Sequence, residues 1–485
     1  MGILAGIMVP HPPMIVPAVG RGGEKQIEET TAAYERAAQF IADFKPDTVI
    51  LSSPHSVMYG DYFHISPGTG AEGSFARFGA PQVSASVAYD TEFVSVLCDA
   101  AKNAVIPAGT LGERDASLDH GTMVPLYFLL QKYTDFKLVR IGLSGLSMSY
   151  HYKLGMEIAR VSKALDRRAV YIASGDLSHK LQDYGPYGFA KEGPVYDERI
   201  MDVMGRAAFD ELFDFDETFL DKAAECGHRS FVMMAGAFDR TALEVEKLSH
   251  QDVTGVGYGV CTYKVKTDAD GEAVMDEDRA FLDKWEEKER DRRRKARDVE
   301  DGYVRLARLS LENYIITGEP ITWETSGERI LAGEVSEEAR EALKKELTER
   351  QAGVFVSIHK EGRLRGCIGT IGPVTSMVAN EIIVNAISAS TRDPRFDPIT
   401  RDELLSLEIN VDVLSEPEPI SSETELDVKR YGVIVTKGSR RGLLLPNLDG
   451  VDTIDEQLRI AKRKAGLDEE EQGVKLQRFE VVRHV

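Results

Sequence analysis

Four histidines in the first half of the chain stand where an apolar strand ends or a helix begins. They are His11 in VPHPP, His55 in SSPHS, His120 in LDHGTMVPL and His179 in ASGDLSH. Neutral imidazole is a common ligand for transition metals and a ready general acid or base. In open α/β sheets the ligand crevice lies beyond the carboxyl ends of the strands. Four imidazoles delivered there make a polar, metal-capable site, and an enzyme is the leading expectation. His11 and His55 each follow an apolar run and sit beside proline, which removes a backbone donor and stiffens the loop. Two such ligands with an anionic third bind a divalent ion and leave positions open, a set that suits Fe(II), Zn(II) or Mn(II). Asp176, three residues before His179, can orient that ring and raise its basicity. It can also cap a helix beginning near Leu177. His120 precedes a helix whose N-terminus lowers an imidazole pKa, so it can donate a hydrogen bond to a bound oxygen.

Strands and helices alternate over the part of the chain that must position these side chains. Ile3–Val9, Thr48–Ser52, Leu138–Leu143 and Val170–Ala173 read as short buried strands. Glu24–Asp43, Val124–Gln131 and Tyr152–Leu165 read as helices. The alternation predicts an α/β fold, a sheet flanked by helices on both faces, over residues 1–266. Residues 267–299 are expected to be a charged helical linker. The mixed-sign stretch Asp276–Arg308 reads as a solvated helix laced with i,i+4 pairs, and the basic run Arg290–Arg297 as one of its faces.

Residues 300–485 read as an α+β domain. Val354–His359 and Arg363–Ile368 flank Lys360-Glu361-Gly362, a hairpin turn. Val374–Ser390 and Thr453–Ala465 read as helices and Glu408–Leu414 as a strand, while Val433–Thr436 and Gly442–Leu445 flank a Gly-Ser-Arg-Arg turn. In LRGCIGT a glycine stands on each side of Cys367-Ile368, which allows close backbone approach. Cys367, with Arg365 nearby, is a candidate reactive thiol, and the polar turn that begins at Arg392 can sit beside it. The alternative is a glycine-bent strand with a buried cysteine.

Composition narrows the function classes. A net charge of −21 over 485 residues argues against nucleic acid as a partner. The four cysteines, at 98, 226, 261 and 367, form no CxxC, which argues against a zinc ribbon or thioredoxin-type site. We find no signal-peptide pattern and no apolar run of about 20 residues, so no membrane association is expected. A reducing cytoplasm is the simplest location, and a homo-oligomer is expected.

VPHPP, SSPH, LDHGTMVPLYFL and ASGDLSHKL, in that order, resemble the LigB superfamily, the class III extradiol dioxygenases, and the Memo proteins that share their fold. The resemblance covers most of residues 1–265. It implies His11 and His55 as metal ligands, His179 as acid/base and His120 as a stabiliser of bound oxygen or substrate. The implied metal is Fe(II), with Zn(II) or copper as alternatives, and the implied reactants are a small phenolic or catecholic substrate and dioxygen. Ring-cleaving relatives put a glutamate in the region of Ala224-Glu225-Cys226-Gly227, whereas Memo-like proteins put a cysteine followed by glycine. By its distance from Gly236-Ala237, Cys226 is the better match, with Glu225 as the alternative. A thiolate shifts preference towards softer ions.

LRGCIGT and RDPRF resemble the AMMECR family over most of residues 300–485. Fusion of the two resembles an arrangement linked to a radical-SAM protein. The leading expectation is therefore a metal-dependent oxidoreductase of the LigB/Memo superfamily. Its alternatives are a component of a multi-protein modifying system with a radical-SAM partner, and a non-enzymatic metal-binding scaffold.

Overall fold

Neighbouring side chains of each central strand in the first half belong to two different cores. Met8, Ile50, Tyr171 and Ala173 join one cluster of buried residues, while Ile7, Val9, Val49, Leu51, Val170 and Ile172 join another. Successive residues of a strand point to opposite faces, so the sheet is covered on both sides. The computed structural model describes residues 2–360, 362–448, 450–469 and 471–485. The chain divides into two compact units, Met1–Glu287 and Lys288–Val485.

The first unit is α/β. Its six-stranded sheet has the order Lys137–Gly142, Thr48–Ser53, Arg168–Ser174, Gly2–Val9, Tyr258–Val265, Leu243–Gln251. The first four run parallel, with Thr48 opposite Lys137 and Ala169, and Ile7 opposite Ile172. The last two are antiparallel. Helices Glu28–Asp43 and His120–Leu129 cover one face; Thr91–Asn103, Met148–Ala164, Glu192–Arg206 and His228–Ala237 cover the other. Because the strands are parallel, the segments after Val9, Ser53 and Ser174 all leave at one edge, which is what gathers His11, His55 and Asp176.

Three expectations are corrected in this unit. The helix after Asp119 starts at His120 itself, because the Asp119 carboxylate accepts from the Thr122 amide and hydroxyl at 3.0 and 2.8 Å. The segment after Ser174 forms no helix, and Asp176 accepts instead from the His11 amide at 2.7 Å. The stretch Asp276–Arg308 is not one solvated helix. Phe281–Asp298 begins by burying Phe281 and Leu282 in the first unit's core, and a second helix, Gly302–Thr317, starts at the Asp301 cap. Tyr303, Val304, Leu306, Ala307 and Leu311 of that helix are buried in the second unit, a burial that the surrounding charges conceal in the sequence.

The second unit is α+β. Arg363–Gly369, Val354–Lys360, Leu407–Leu414 and Val481–His484 form one antiparallel sheet in that order; Glu418–Ile420, Lys475–Phe479, Gly432–Lys437 and Arg440–Leu444 form another. Val354–Lys360 pairs with Arg363–Gly369 as a hairpin; Glu361 of its expected turn lies outside the described residues. Arg440 and Arg441 belong to a strand, not to the turn, because Gly438 at φ +61° already reverses the chain. Among the described residues no helix is long and apolar enough to cross a membrane.

Candidate metal centre and cleft

Three donor atoms from three separate loops converge beyond the parallel strands. His11 Nε2 lies 3.0 Å from His55 Nε2 and 3.6 Å from Cys226 Sγ, and all three ligand atoms lie within 4.8 Å of one another. Asp176, His179 and Cys226 form a second such group, with Asp176 Oδ2 3.9 Å from His11 Nε2 and 4.0 Å from His179 Nε2. His120 stacks at a tilt on His55, ring centroids 3.9 Å apart, and meets Phe78 edge-on.

A chain of hydrogen bonds fixes the His11 ring. Pro125, inside the helix His120–Leu129, has no N–H to give the Gly121 carbonyl four residues back. Ser174 Oγ donates to that carbonyl at 2.6 Å, and its only proton is then used. The Ser174 oxygen must therefore accept from His11 Nδ1, 3.0 Å away. His11 is thus the Nδ1–H tautomer, and its Nε2 lone pair faces His55 and Cys226. The Tyr34 hydroxyl, donating to the Pro10 carbonyl at 2.9 Å, steadies the same loop.

The electrostatics keep these rings neutral. Burial, then the neighbouring His55, His120 and His179, holds His11 well below the usual imidazole range. Burial and His120 push His55 down to about 4 against the opposing pull of Asp119, and burial lowers His120 as well. Neutral imidazoles are the metal-binding form. Burial raises Asp176 to about 6, opposed by His179, and pushes the Cys226 thiol well up, reinforced by Asp176 and Glu225. Two facing imidazole nitrogens and a thiol fit a soft or borderline divalent ion, for which 2.0–2.3 Å bonds give roughly 3.3–3.8 Å ligand separations.

The adjacent candidates part company in space. Cys226 Sγ accepts from the Asp176 amide at 3.3 Å inside the donor cluster, whereas Glu225 accepts from the His228 amide at 2.6 Å, at the first residue of the helix His228–Ala237. Burial raises Glu225 to about 7 there, despite that hydrogen bond. His179 is oriented by the Ala224 carbonyl, which accepts from its Nδ1, so Nε2 is left as the acceptor. The orienting role expected of Asp176 is therefore Ala224's. Beyond His179, a loop at 183–189 carries Tyr184, Tyr187 and Phe189, all exposed, of which Tyr187 meets the His179 ring edge-on, centroids 5.1 Å apart.

A cleft of about 1130 Å³ opens from His55 and His120 and is walled by Phe78, Arg77, Arg114 and Arg140. Its far wall comes from the hairpin Gly70–Phe75 and Ala80–Ala88, which the sequence reading did not single out. Also missed were Ser174 and Pro125; the proline inside an otherwise helical pattern was the available signal.

In the second unit, Arg365 turns its guanidinium to Glu403 at 3.0 and 3.1 Å and to the Asp397 carbonyl. Those bonds, with Lys360 and the Thr400 amide, hold Glu403 down to about 2 although burial opposes them. Cys367 lies 3.3 Å from Ser357 Oγ, its amide donates to Asp393 at 2.8 Å, and Arg395 donates to its carbonyl. The arginine at Cys367 is thus Arg395; Arg392 is exposed.

A sheet with a His/Cys donor cluster beyond the carboxyl ends of its parallel strands defines a metal-capable α/β domain. Residues 5–261 match the family model described as the catalytic LigB subunit of aromatic ring-opening dioxygenase, and residues 304–484 match the AMMECR1 model. The chain belongs to the LigB family and carries an AMMECR1 domain in its second half. A Clostridium acetobutylicum protein is 40% identical over 484 residues, 98% of each chain. A Thermotoga maritima protein is 48% identical over 186 residues, 38% of this chain and 98% of its own. A crystal structure of a Pyrococcus horikoshii protein, 30% identical, covers 38% of this chain and 92% of its own with a TM-score of 0.32.

Proposed function

We propose that the first unit is a metal-dependent oxidoreductase acting on a phenolic or catecholic substrate, with His11, His55 and Cys226 as ligands and Fe(II) as the favoured ion. The observation that carries this reading is the convergence of their donor atoms within 4.8 Å. A metal bound there supplies Lewis acidity and a meeting point for substrate and dioxygen oxygens. His179, with Nδ1 committed to Ala224, takes the phenolic proton on Nε2. His120, at the head of its helix, donates a hydrogen bond to a substrate oxygen. Phe78 and His120 wall an aromatic ring on the cleft side.

The test is oxygen uptake by anaerobically reconstituted protein on addition of catechols. Uptake that disappears in His179→Ala supports the reading; no uptake with any catechol ends it as ring cleavage. A second reading keeps the centre and replaces the chemistry: a component of a multi-protein modifying system with a radical-SAM partner. What favours it is the thiol at the centre where ring-cleaving relatives use a carboxylate. Its mark is co-purification of that partner with the wild-type chain.

Two variants separate the adjacent candidates. Cys226→Ser is expected to lose most bound metal, while Glu225→Gln retains it and weakens only the bond from the His228 amide, at a cost of about 1 kcal/mol; metal content and thermal melting check both. Ser174→Ala removes the acceptor that fixes His11, and is expected to weaken metal binding about 10- to 100-fold, read by competition with a chelator.

A further inference from the structure

Cys367 stands on the strand Arg363–Gly369, opposite Ser357 of Val354–Lys360, and Asn410 of Leu407–Leu414 continues the same row. Val354, Val356 and Ile358 point into the core of the second unit, so Phe355, Ser357 and His359 face the other way. On that side Phe355 packs against Ile434, Leu443 and Phe479 of the second sheet. Cys367, half-buried, therefore lies beside the seam between the two sheets. Burial raises the other two thiols outside the metal centre, Cys98 and Cys261, and Asp99 adds to the effect at Cys98. Those two are inert by environment; Cys367 has a different one.

Positive charge gathers at this thiol. Ser357 Oγ donates to Cys367 Sγ at 3.3 Å. The Arg395 guanidinium bonds the Cys367 carbonyl at 3.3 Å and reaches its side chain as well. Asp393, 4% exposed, fixes both partners: it accepts from Arg395 Nε and Nη2 at 2.9 and 2.7 Å and from the Cys367 amide at 2.8 Å. Arg483 and Lys464, the last residue of the helix Ile454–Lys464, add their charges at Cys367. These cations are exposed and the thiol is partly so, which leaves the cluster open to a ligand. The acids nearby are engaged. Asp393 holds Arg395, Asp412 accepts from Arg483 at 2.8 and 2.9 Å, and Glu408 accepts from Arg292 at 2.7 Å. Lys464 is left over, with no hydrogen bond and no carboxylate within 4.0 Å among the described residues. Although the residue is exposed, the protein around its ammonium lowers its pKa, and Cys367 opposes that.

We propose that Cys367 is a nucleophilic modification site for a small electrophile that carries a carboxylate, which Lys464 and Arg395 receive. One unmatched cation fits the single charge of a carboxylate better than the double charge of a phosphate. The sulfur forms a bond to the electrophilic carbon, the bond from that carbon to its leaving group breaks with its electron pair, and the thiol proton passes to water. Partly exposed cysteines in electropositive surroundings are the ones that react in this way. The site lies wholly in the second unit, so it does not rest on the oxidoreductase reading of the first.

The test is alkylation of the full chain by iodoacetate and by neutral iodoacetamide, with the rate read at the Cys367 peptide by mass spectrometry. Iodide leaves with its electron pair in both reactions, and the two reagents differ in charge. The reference is the ratio of the two rates, acid over amide, at Cys367 of the same chain unfolded in urea. The folded wild type is expected to exceed that reference at least roughly tenfold, as a focused charge raises the encounter rate of an anion. Lys464→Gln is expected to lower the ratio about threefold or more, and Lys464→Arg to keep it. A folded ratio equal to the reference overturns the proposal, as does a ratio unchanged in Lys464→Gln or a Cys367 that reacts with neither reagent. If Lys464→Gln does not fold, the wild type in about 1 M potassium chloride decides. Salt screens a preference made by charge, so the ratio should fall, and a ratio indifferent to salt overturns the proposal.

Discussion

His11→Ala is expected to strip the chain of metal while leaving it folded. His11 is the hub of the donor cluster: its Nε2 lies 3.0 Å from His55, 3.6 Å from Cys226 and 3.9 Å from Asp176. Loss of an outer hydrogen-bond partner typically weakens a metal site about 10- to 100-fold, and loss of a ligand exceeds that, so the affinity should fall by more than about 100-fold. The cost to folding is smaller. The ring is 1% exposed and leaves Ser174 Oγ without its donor, which together cost about 1–3 kcal/mol. Elemental analysis of dialysed protein reads the first effect and thermal melting the second. Wild-type metal content in His11→Ala would mean that the ion sits elsewhere.

Gly175→Ala is expected to be among the most damaging single-methyl changes in the first unit. A Cβ at Gly175 would lie 2.1 Å from Gly227 Cα and 3.1 Å from its nitrogen, all backbone. Neither loop can yield by rotating a side chain. Gly175 is tied by its amide to the Val9 carbonyl at 3.0 Å, and the residues that follow the two glycines' contact carry Asp176 and the helix of His228. The contact is what lets the Asp176 amide reach Cys226 Sγ at 3.3 Å. Forcing these backbones apart should cost about 3 kcal/mol or more and loosen the metal site together with the fold. Gly60→Ala, where a Cβ meets nothing within 4 Å, should change stability by no more than about 0.5 kcal/mol. Melting temperature and metal content of the pair check this, and equal behaviour of the two variants would contradict it.

The sequence carried the parts of this site that are local. An apolar run ending in Pro-His announces a strand end and a ligand in a few residues, and His11 and His55 lie where those patterns put them, together with His120 and His179. The sheet was legible for the same reason, since four short apolar runs alternating with helical segments are enough to suggest an α/β sheet covered on both faces. Contacts across the fold were not legible. The adjacent pair Glu225 and Cys226 follows the turn at Ala224, φ +53°, and one side chain goes to the His228 amide while the other goes to the centre. The Pro125–Gly121–Ser174–His11 chain joins residues far apart in sequence.

The claim that most needs testing is the thiol at the metal. X-ray absorption at the metal edge of anaerobically purified chain should show a sulfur neighbour at about 2.3 Å beside nitrogens at about 2.0–2.1 Å. The sulfur shell should vanish in Cys226→Ser and persist in Glu225→Gln. A shell of nitrogen and oxygen alone in the wild type, unchanged by Cys226→Ser and altered by Glu225→Gln, would contradict the centre described for this fold.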